Sequence, residues 1–209
     1  GQRANFEETY SGDTLRGNYV AGVYYPDKTV VGWWKIGYPE YFAKVPNAPS
    51  WTGIIVRLDG EELDLAKCTL KSFRRELDMK AGVLTRMFTA VMLSGRVAEV
   101  TAKRFLSMDE PELAAISYTI RITGGNGKVE LIPWLNAEVY NEDANYDEKF
   151  WEKESSARDG RRIAVVAQTR KTAFVVATAA ENAFTLNGKP VKGEPVIKTT
   201  DKTAHCEFT

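Results

Sequence analysis

The chain has 209 residues, of which 28 are lysine or arginine and 28 are aspartate or glutamate. This balance leaves no basic excess of the kind that neutralises nucleic-acid phosphates, so we expect no nucleic-acid partner. The length suits one large all-β domain, and no apolar run is long enough to span a bilayer, so we expect no membrane partner.

Two cysteines and one histidine limit the chemistry that the chain supports. Cys68 and Cys206 do not make a disulfide framework, and with His205 they fall short of the ligands of a structural zinc site. We therefore expect buried or half-buried free thiols and no metal site. No Asn-x-Ser/Thr sequon occurs, and residues 1–8 do not resemble a signal sequence, which favours the cytoplasm.

The stretch from Tyr19 to Trp51 mixes aromatic side chains with glycines and prolines, and it contains too many helix-breaking residues to form a helix. After an opening loop over residues 1–18, we predict a strand, a turn, a second strand and an ordered aromatic loop. Aromatic rings on a rigid β scaffold suit sugar stacking or a protein interface, and the alternative is that they fill the core. The residues assigned to a substrate-proximal or interface loop are Trp33, Trp34, Tyr38, Tyr41 and Trp51.

Short runs with a period of two follow, separated by turn residues. Asp59-Gly60 predicts a hairpin. From Thr69 to Met79 the apolar side chains share one parity and the polar ones take the other, which is typical of a half-exposed antiparallel strand. Further strands of this kind are predicted at 83–90, 97–106 and 113–123.

The last third of the chain carries the same signals. Gly124–Gly127 predicts a hairpin that leads into a strand at 129–134. Asn136–Asp159 is predicted to be a polar, acid-rich loop. Near-continuous apolar runs at 163–168 and 174–178 predict central strands covered on both faces. Leu186-Asn187-Gly188-Lys189 predicts another hairpin. Because no segment has a sustained helical stripe, we predict an all-β, antiparallel β-sandwich over residues 1–209.

Three carboxylate pairs invite a glycosidase interpretation, since glycoside cleavage needs a proton donor and often a second carboxylate. They are Glu7-Glu8, Glu61-Glu62 and Glu142-Asp143. Adjacent residues of a strand point to opposite faces, so we expect solvated or capping acids instead of catalytic dyads. A serine or cysteine nucleophile would depend on His205 as its base. The residues alone therefore predict an aromatic surface and no autonomous active site.

Ordered motifs run in register along most of the chain. They are Gly1–Glu8, Tyr19–Tyr24, Arg57–Glu61, Arg74–Met79, Gly82–Arg86, Arg104–Met108 and Asn141–Asp147. On these residues the chain resembles glycoside hydrolase family 65, the disaccharide phosphorylases. From Tyr24 through Trp33-Trp34 to Phe42 it is most similar to maltose phosphorylases, while kojibiose and trehalose phosphorylases share the general motifs.

The resemblance implies a larger enzyme with an N-terminal β-supersandwich of the galactose-mutarotase type, a helical linker, an (α/α)6 barrel and a small C-terminal β domain. The chain matches the first of these, so we expect a sandwich truncated at both ends and no catalytic barrel. The enzyme would carry out inverting phosphorolysis of maltose to β-glucose 1-phosphate and glucose. A barrel glutamic acid would protonate the glycosidic oxygen while inorganic phosphate, a co-substrate and not a cofactor, attacks the anomeric carbon.

This interpretation gives the chain a supporting role toward its own barrel domain, a part in a homodimer, and an aromatic loop near the mouth of the active site. Arg3, Glu7 and Glu8 are assigned as interdomain residues. It predicts little or no sugar binding by the isolated chain. A stand-alone carbohydrate-binding module would instead bind maltose or glucan saturably. A mutarotase-type epimerase would need a histidine and a carboxylate in a concave sheet face, for which His205 is a poor candidate.

Overall fold

The structure, a computed structural model, describes residues 2–3, 6–14, 16–32 and 37–208. Within these ranges the regular structure is β-strand, apart from a short 3-10 helix at Asn145–Asp147. The described strand pairs are antiparallel, which confirms the all-β prediction. No helix in these ranges is long and apolar enough to cross a membrane.

In chain order, the strands are β1 (Gln2–Arg3), β2 (Gly17–Asn18), β3 (Tyr25–Lys28), β4 (Tyr41–Lys44), β5 (Ser50–Leu58), β6 (Glu61–Glu62), β7 (Thr69–Asp78), β8 (Val83–Val91), β9 (Val97–Leu106), β10 (Ala114–Thr123), β11 (Val129–Asn136), β12 (Trp151–Asp159), β13 (Arg162–Thr169), β14 (Val175–Glu181), β15 (Thr185–Leu186), β16 (Lys189–Pro190), β17 (Val196–Thr199) and β18 (Thr203–Glu207).

The chain divides into two compact units. Unit 1 comprises Gly1–Phe6, Asp13–Gly53 and Leu131–Thr209, and unit 2 comprises Glu7–Gly12 and Ile54–Glu130. The chain passes from one unit to the other after Phe6 and after Gly12, and again within β5 and within β11. Each unit has buried apolar side chains of its own, and each is described separately below.

In unit 1 the sheet with strand order β12-β13-β14 supplies a large part of the core. β13 alternates, and its buried side chains are Ile163, Val165 and Ala167. They belong to a cluster that also contains Trp151. The prediction of a central strand is confirmed for β13. It is wrong for β14, which lies at the edge of the described sheet and is half exposed.

Unit 2 contains the four-stranded sheet with order β10-β9-β8-β7. The two middle strands bury every second side chain, and Phe88 of β8 pairs with Val100 of β9 at 3% exposure each. β7 differs, because all of its residues are exposed. The prediction of an antiparallel strand at Thr69–Met79 is confirmed, but its half-exposed character is wrong, because Phe73 lies opposite the buried Phe88 and is itself exposed.

Two hairpins form where turn chemistry predicts them. Asp59 and Gly60 join β5 to β6, and Asn187 and Gly188 join β15 to β16. All four residues have positive φ, from 47° to 84°. This is the backbone geometry that favours Asp-Gly and Asn-Gly in two-residue hairpins.

Two predictions for the last third need correction. Gly124–Gly127 does not close a hairpin, because β10 pairs with β9 whereas β11 pairs with β18. The glycines instead carry the chain from one sheet to another. Residues 136–159 are not one loop either, since their second half forms β12, in which half-buried and exposed residues alternate from Glu152 to Ala157. Only residues 137–150 remain as a loop, which contains the short 3-10 helix.

Candidate functional site

The predicted aromatic loop is a hairpin in unit 1. β3 pairs with β4, with Asp27 opposite Phe42 and Lys28 opposite Tyr41. Tyr41 and Tyr38 are 44% and 46% exposed, and Tyr38 makes an edge contact with Phe42 at 5.6 Å between ring centroids. The hairpin therefore presents two tyrosines at its surface.

The other aromatic residues near this hairpin are not exposed in the same way. Trp51 is partly buried and packs against the core of unit 1, so it does not join the exposed tyrosines. Tyr25 is fully buried and stacks on Phe150. Both interpretations of the aromatic stretch thus apply, with some rings in the core and others at the surface. Trp33 and Trp34 lie outside the described residues.

The loop at 137–150 is fixed to this hairpin by polar contacts. The backbone N–H of Asn145 donates to Asp27 Oδ2 at 2.8 Å, and its side-chain amide donates to the Lys28 carbonyl at 2.9 Å. Lys44 Nζ lies 2.7 Å from the same Asp27 oxygen. The hydroxyl of Tyr146 accepts a hydrogen bond from the Val31 N–H at 2.9 Å. These contacts hold the acid-rich loop in a defined position against the hairpin.

Lys171 connects the loop to the rings of the hairpin. Its Nζ lies 2.7 Å from Glu148 Oε2, 5.0 Å from the centroid of Tyr25 and 5.9 Å from that of Tyr41. The Tyr25 hydroxyl donates to Glu148 Oε1 at 2.6 Å. Such cation–π contacts restrain the rings as well as the cation. Lys171 therefore holds the exposed Tyr41 ring in place.

The protonation states of Tyr25 and Glu148 are fixed at neutral pH. Burial and the nearby Glu148 carboxylate raise the pKa of Tyr25 well above its ordinary value. Partial burial acts to raise the pKa of Glu148, but hydrogen bonds from Lys171 and Tyr25 lower it overall. Tyr25 therefore remains a neutral donor and Glu148 a charged acceptor. Neither is poised for proton transfer near pH 7.

A polar cavity of about 250 Å³ lies beside the loop in unit 1. Its lining residues are Arg16, Tyr19, Asn47, Tyr140, Asn141, Glu142 and Asp143. Both side-chain amides are fixed. Asn141 Oδ1 accepts the backbone N–H of Asn47 at 2.6 Å and Asn141 Nδ2 donates to the Val45 carbonyl at 3.1 Å, while Asn47 Nδ2 donates to the Tyr140 carbonyl at 3.1 Å. With aromatic, amide and charged groups, the lining suits a small, hydroxylated molecule.

The acids Glu7 and Glu8 lie in unit 2 and are buried, at 4% and 2% exposure. Arg86 of β8 donates to both carboxylates, and Arg104 of β9 donates to Glu7 Oε1 at 2.8 Å. Burial raises the pKa of Glu8, although the charge of Arg86 acts to lower it. Burial likewise raises the pKa of the nearby Tyr118. Two carboxylates and two guanidinium groups thus form a closed ion cluster.

The prediction of solvated or capping acids is wrong for Glu7 and Glu8. Residues 7–8 form a bend and no strand, so the alternation of strand faces does not apply and both carboxylates reach Arg86. Their assignment as interdomain residues stays a prediction. That of Arg3 does too, because its side chain is outside the described part of the structure.

The remaining acid pairs make local contacts. Glu61 accepts the Ser94 N–H at 3.3 Å, and Glu62 accepts the Thr9 hydroxyl at 2.5 Å. Asp143 accepts from the Asn141 amide at 3.2 Å. These contacts agree with capping and solvated acids.

Thiols and metal ligands add no further site within the described residues. Cys206 is buried and Cys68 is half-buried, and both are free. Burial raises the pKa of the Cys206 thiol to about 11, so it is a weak nucleophile at neutral pH. No group of three or more His, Cys, Asp or Glu side chains in the described ranges is arranged to hold a metal ion.

Sequence reasoning missed the residues that join the loop to the hairpin. Asn47, Asn145, Glu148 and Lys171 each act through a partner far away in the chain, and nothing in their local pattern identifies that partner. The one available signal was the motif Asn141–Asp147, whose clustering of amides and acids between two strands indicates a loop with defined contacts.

Comparison with known proteins relates these observations to a family. The whole chain, residues 1–209, matches the family model described as Glycosyl hydrolase family 65, N-terminal domain. The chain is 44% identical to the maltose phosphorylase of Bacillus subtilis over 174 residues, which cover 83% of this chain and 23% of that protein. It is 29% identical to the α,α-trehalose phosphorylase of Thermoanaerobacter brockii over 200 residues, covering 90% of this chain and 26% of that protein.

A kojibiose phosphorylase of Halothermothrix orenii is 27% identical over 199 residues, which cover 95% of this chain and 24% of that protein. A solved structure titled "Putative kojibiose phosphorylase from human microbiome" has the same fold, with a TM-score of 0.80 at 21% identity over 99% of this chain and 26% of the other. The chain spans about a quarter of the length of these proteins.

Proposed function

This chain belongs to the N-terminal domain family of the family 65 glycosyl hydrolases, and on that premise we propose that it is the non-catalytic N-terminal domain of a maltose-phosphorylase-like enzyme. The full-length enzyme would convert maltose and inorganic phosphate to β-glucose 1-phosphate and glucose with inversion. The observation that carries the choice of maltose is the 44% identity to a maltose phosphorylase, against 29% and 27% for the trehalose and kojibiose enzymes.

The charges of the chain support a non-catalytic role. A general acid needs access to substrate and a pKa near the working pH. Glu8 has a raised pKa, but it is 2% exposed and bound to Arg86, so a disaccharide does not reach it. Glu148 is half-buried, bonded to Lys171 and Tyr25, and its pKa is lowered. As the relationship to family 65 implies, the acid that protonates the glycosidic oxygen would belong to the catalytic barrel.

The direct test is an assay of the full-length enzyme and of the 209-residue chain with maltose, kojibiose and trehalose. We expect phosphate-dependent release of β-glucose 1-phosphate from maltose by the full-length enzyme, and no turnover by the chain alone. A preference for kojibiose or trehalose would reassign the substrate and leave the domain role intact. Turnover by the isolated chain would contradict the proposal.

We propose further that the β3–β4 hairpin lies toward the mouth of the active site or against another protein surface. Support comes from the two exposed tyrosines and from the contacts of Lys171 that restrain one of them. In the full-length enzyme, Tyr41→Ala and Trp33→Ala should raise the KM for maltose several-fold or weaken dimerisation. Phe105→Ala, which removes an aromatic ring of similar exposure from β9, is the matched control. Unchanged rate, affinity and dimerisation would count against this role.

The second candidate is a stand-alone carbohydrate-binding module, and the polar cavity next to Tyr140 favours it. This candidate predicts saturable quenching of tryptophan fluorescence when maltose or glucan is added to the isolated chain. The domain proposal predicts little or none. We also propose a cytoplasmic location, supported by the two free thiols, and a homodimer of the full-length enzyme.

A further inference from the structure

A strained residue lies in the loop at 137–150. Tyr146 has φ 60° and ψ 25°, the left-handed region that glycine, asparagine and aspartate tolerate and that a bulky aromatic residue rarely adopts. Such a conformation costs free energy, so it persists only where the surrounding contacts hold it, and it is most frequent at active sites and ligand-binding segments. The strain at Tyr146 therefore indicates a role for its side chain.

The hydroxyl of Tyr146 holds the chain at the point where it leaves β3. It accepts the Val31 N–H at 2.9 Å, a bond of ordinary length, and it donates to the Thr29 carbonyl at 3.4 Å, which is a longer and weaker contact. The preceding residue, Asn145, binds β3 itself through the Lys28 carbonyl. Tyr146 therefore restrains the first residues beyond β3, and the stronger restraint is on Val31.

Thr29 connects these residues to the other side of the hairpin. It is 2% exposed, its N–H donates to the Glu40 carbonyl at 2.8 Å, and its hydroxyl donates to the Pro39 carbonyl. Pro39 and Glu40 lie between the exposed Tyr38 and Tyr41 in the sequence. Since these bonds close the end of the hairpin, a displacement of Thr29 also displaces the segment that begins at Tyr38.

The two exposed tyrosines are held in different ways. Tyr41 has a restraint of its own, because Lys171 Nζ lies 5.9 Å from the centroid of its ring. Tyr38 contacts Phe42 with its ring edge, and its backbone directly precedes Pro39, whose carbonyl accepts the Thr29 hydroxyl. The restraint that starts at Tyr146 therefore acts mainly on Tyr38.

We propose that Tyr146 is a positioning residue for the disaccharide in the proposed phosphorylase. Its hydroxyl fixes Val31 and Thr29, and through Thr29 it sets the position of the Tyr38 ring, which stacks on the sugar. The inference rests on the proposed function, because it takes the β3–β4 hairpin to lie at the mouth of the active site. Groups that position a substrate lose their effect when they move by about 1 Å. Strained backbone is typical of ligand clamps, which favours a sugar over a protein surface as the partner of Tyr38.

The first test is Tyr146→Phe in the full-length enzyme, which removes the hydroxyl and keeps the ring. The KM for maltose should rise about fivefold, the factor that corresponds to one ordinary hydrogen bond, and kcat should not change. A KM effect without a kcat effect is expected of a group that binds the ground state and the transition state equally. Tyr24→Phe is the matched control, because Tyr24 is 48% exposed against 57% for Tyr146 and its hydroxyl has no hydrogen-bond partner in the described ranges. This control should leave KM unchanged.

A double-mutant cycle separates positioning from a merely structural role. Tyr38→Ala should raise KM by itself, and adding Tyr146→Phe to it should raise KM no further, because the ring that Tyr146 positions is already gone. Effects that multiply in the double variant would overturn the inference. So would an unchanged KM in Tyr146→Phe when Tyr38→Ala raises it, or an effect of Tyr146→Phe on kcat or dimerisation alone.

Amide hydrogen exchange, measured by NMR on the 209-residue chain, tests the restraint without any turnover. Tyr146→Phe should speed the exchange of the Thr29 N–H several-fold even though that group keeps Glu40 as its acceptor, and Tyr24→Phe should not. Unchanged exchange at Thr29 would overturn the inference whatever the kinetics show. If exchange responds but neither Tyr38→Ala nor Tyr146→Phe changes KM, the hairpin does not reach the sugar and the substrate role of Tyr146 fails with it. Release of β-glucose 1-phosphate by the unmodified enzyme still decides the proposed activity, so the two proposals fail separately.

Discussion

Two bent segments are held against sheets by polar side chains, one in each unit, and they are built differently. In unit 2 the carboxylates of residues 7–8 meet Arg86 and Arg104, and all four side chains are buried. In unit 1 the loop at 137–150 is held largely by bonds that each join a side chain to a backbone group, and of the side chains in these bonds Asp27 is buried whereas Asn145 and Tyr146 are partly or largely exposed. A buried charge has lost its water, so it is harmful once its partner is removed, whereas an exposed donor returns to solvent. The two regions should therefore tolerate single substitutions very differently.

The largest effect is expected from Arg86→Met. The substitution leaves two buried carboxylates without their shared partner, which should lower the free energy of unfolding by about 3–5 kcal/mol. Urea denaturation followed by circular dichroism measures the change. A loss below about 1 kcal/mol would show that the cluster does not behave as a buried ion network.

An intermediate and pH-dependent effect is expected from Asp64→Asn. Asp64 fixes the chain just after Glu7 and Glu8, because its Oδ1 accepts the Ser11 N–H at 3.0 Å. Burial acts to raise the pKa of Asp64, but hydrogen bonds from Ser11, Lys67 and Ala66 lower it from 3.8 to about 2. A lowered folded-state pKa stabilises the fold above the unfolded-state pKa, so this contribution of about 2 kcal/mol is complete above about pH 4.

As the pH falls from about 4 to about 2, Asp64 becomes protonated in the folded state too, and its contribution disappears. The stability difference between the unmodified chain and Asp64→Asn should therefore shrink across this range. Urea denaturation at pH 7, 4 and 2.5 tests this. A difference that stays constant with pH would contradict the assigned pKa.

In unit 1, Asn145→Ala should have a smaller effect. The variant loses the bond from its side-chain amide to the Lys28 carbonyl but keeps the bond from its backbone N–H to Asp27. We expect a loss of about 1 kcal/mol, the usual contribution of one hydrogen bond. A loss as large as that of Arg86→Met would erase the distinction between the two regions.

The smallest effect is expected from Arg162→Ala. Arg162 lies 3.2 Å from Glu181, and both side chains are about two-thirds exposed. Exposed ion pairs contribute little, so the free energy of unfolding should change by less than about 0.5 kcal/mol, and added salt should change it little further. This variant gives the baseline against which the buried cluster is judged.

The strands were predictable where the signal is local. The hairpins at Asp59-Gly60 and Asn187-Gly188 formed as expected, because each requires only two residues with positive φ. The Gly124–Gly127 turn failed as a hairpin, since a turn sequence indicates a reversal but not the strand that receives the chain. The candidate site was predictable only in part, because exposure separates Tyr41 from Trp51 and local sequence does not determine exposure.

The sequence by itself determined that the chain is all-β and antiparallel, since a period of two and turn residues act over a few neighbours, and its ordered motifs identified the family. Only the tertiary structure decided that Glu7 and Glu8 are buried against Arg86, 79 and 78 residues away, and that Asn145 binds Asp27 at a separation of 118 residues. It also decided that β7 is left uncovered. The physical reason is that the sequence of a carboxylate-bearing or apolar segment is the same whether solvent or protein surrounds it. Only the folded structure determines which of the two does.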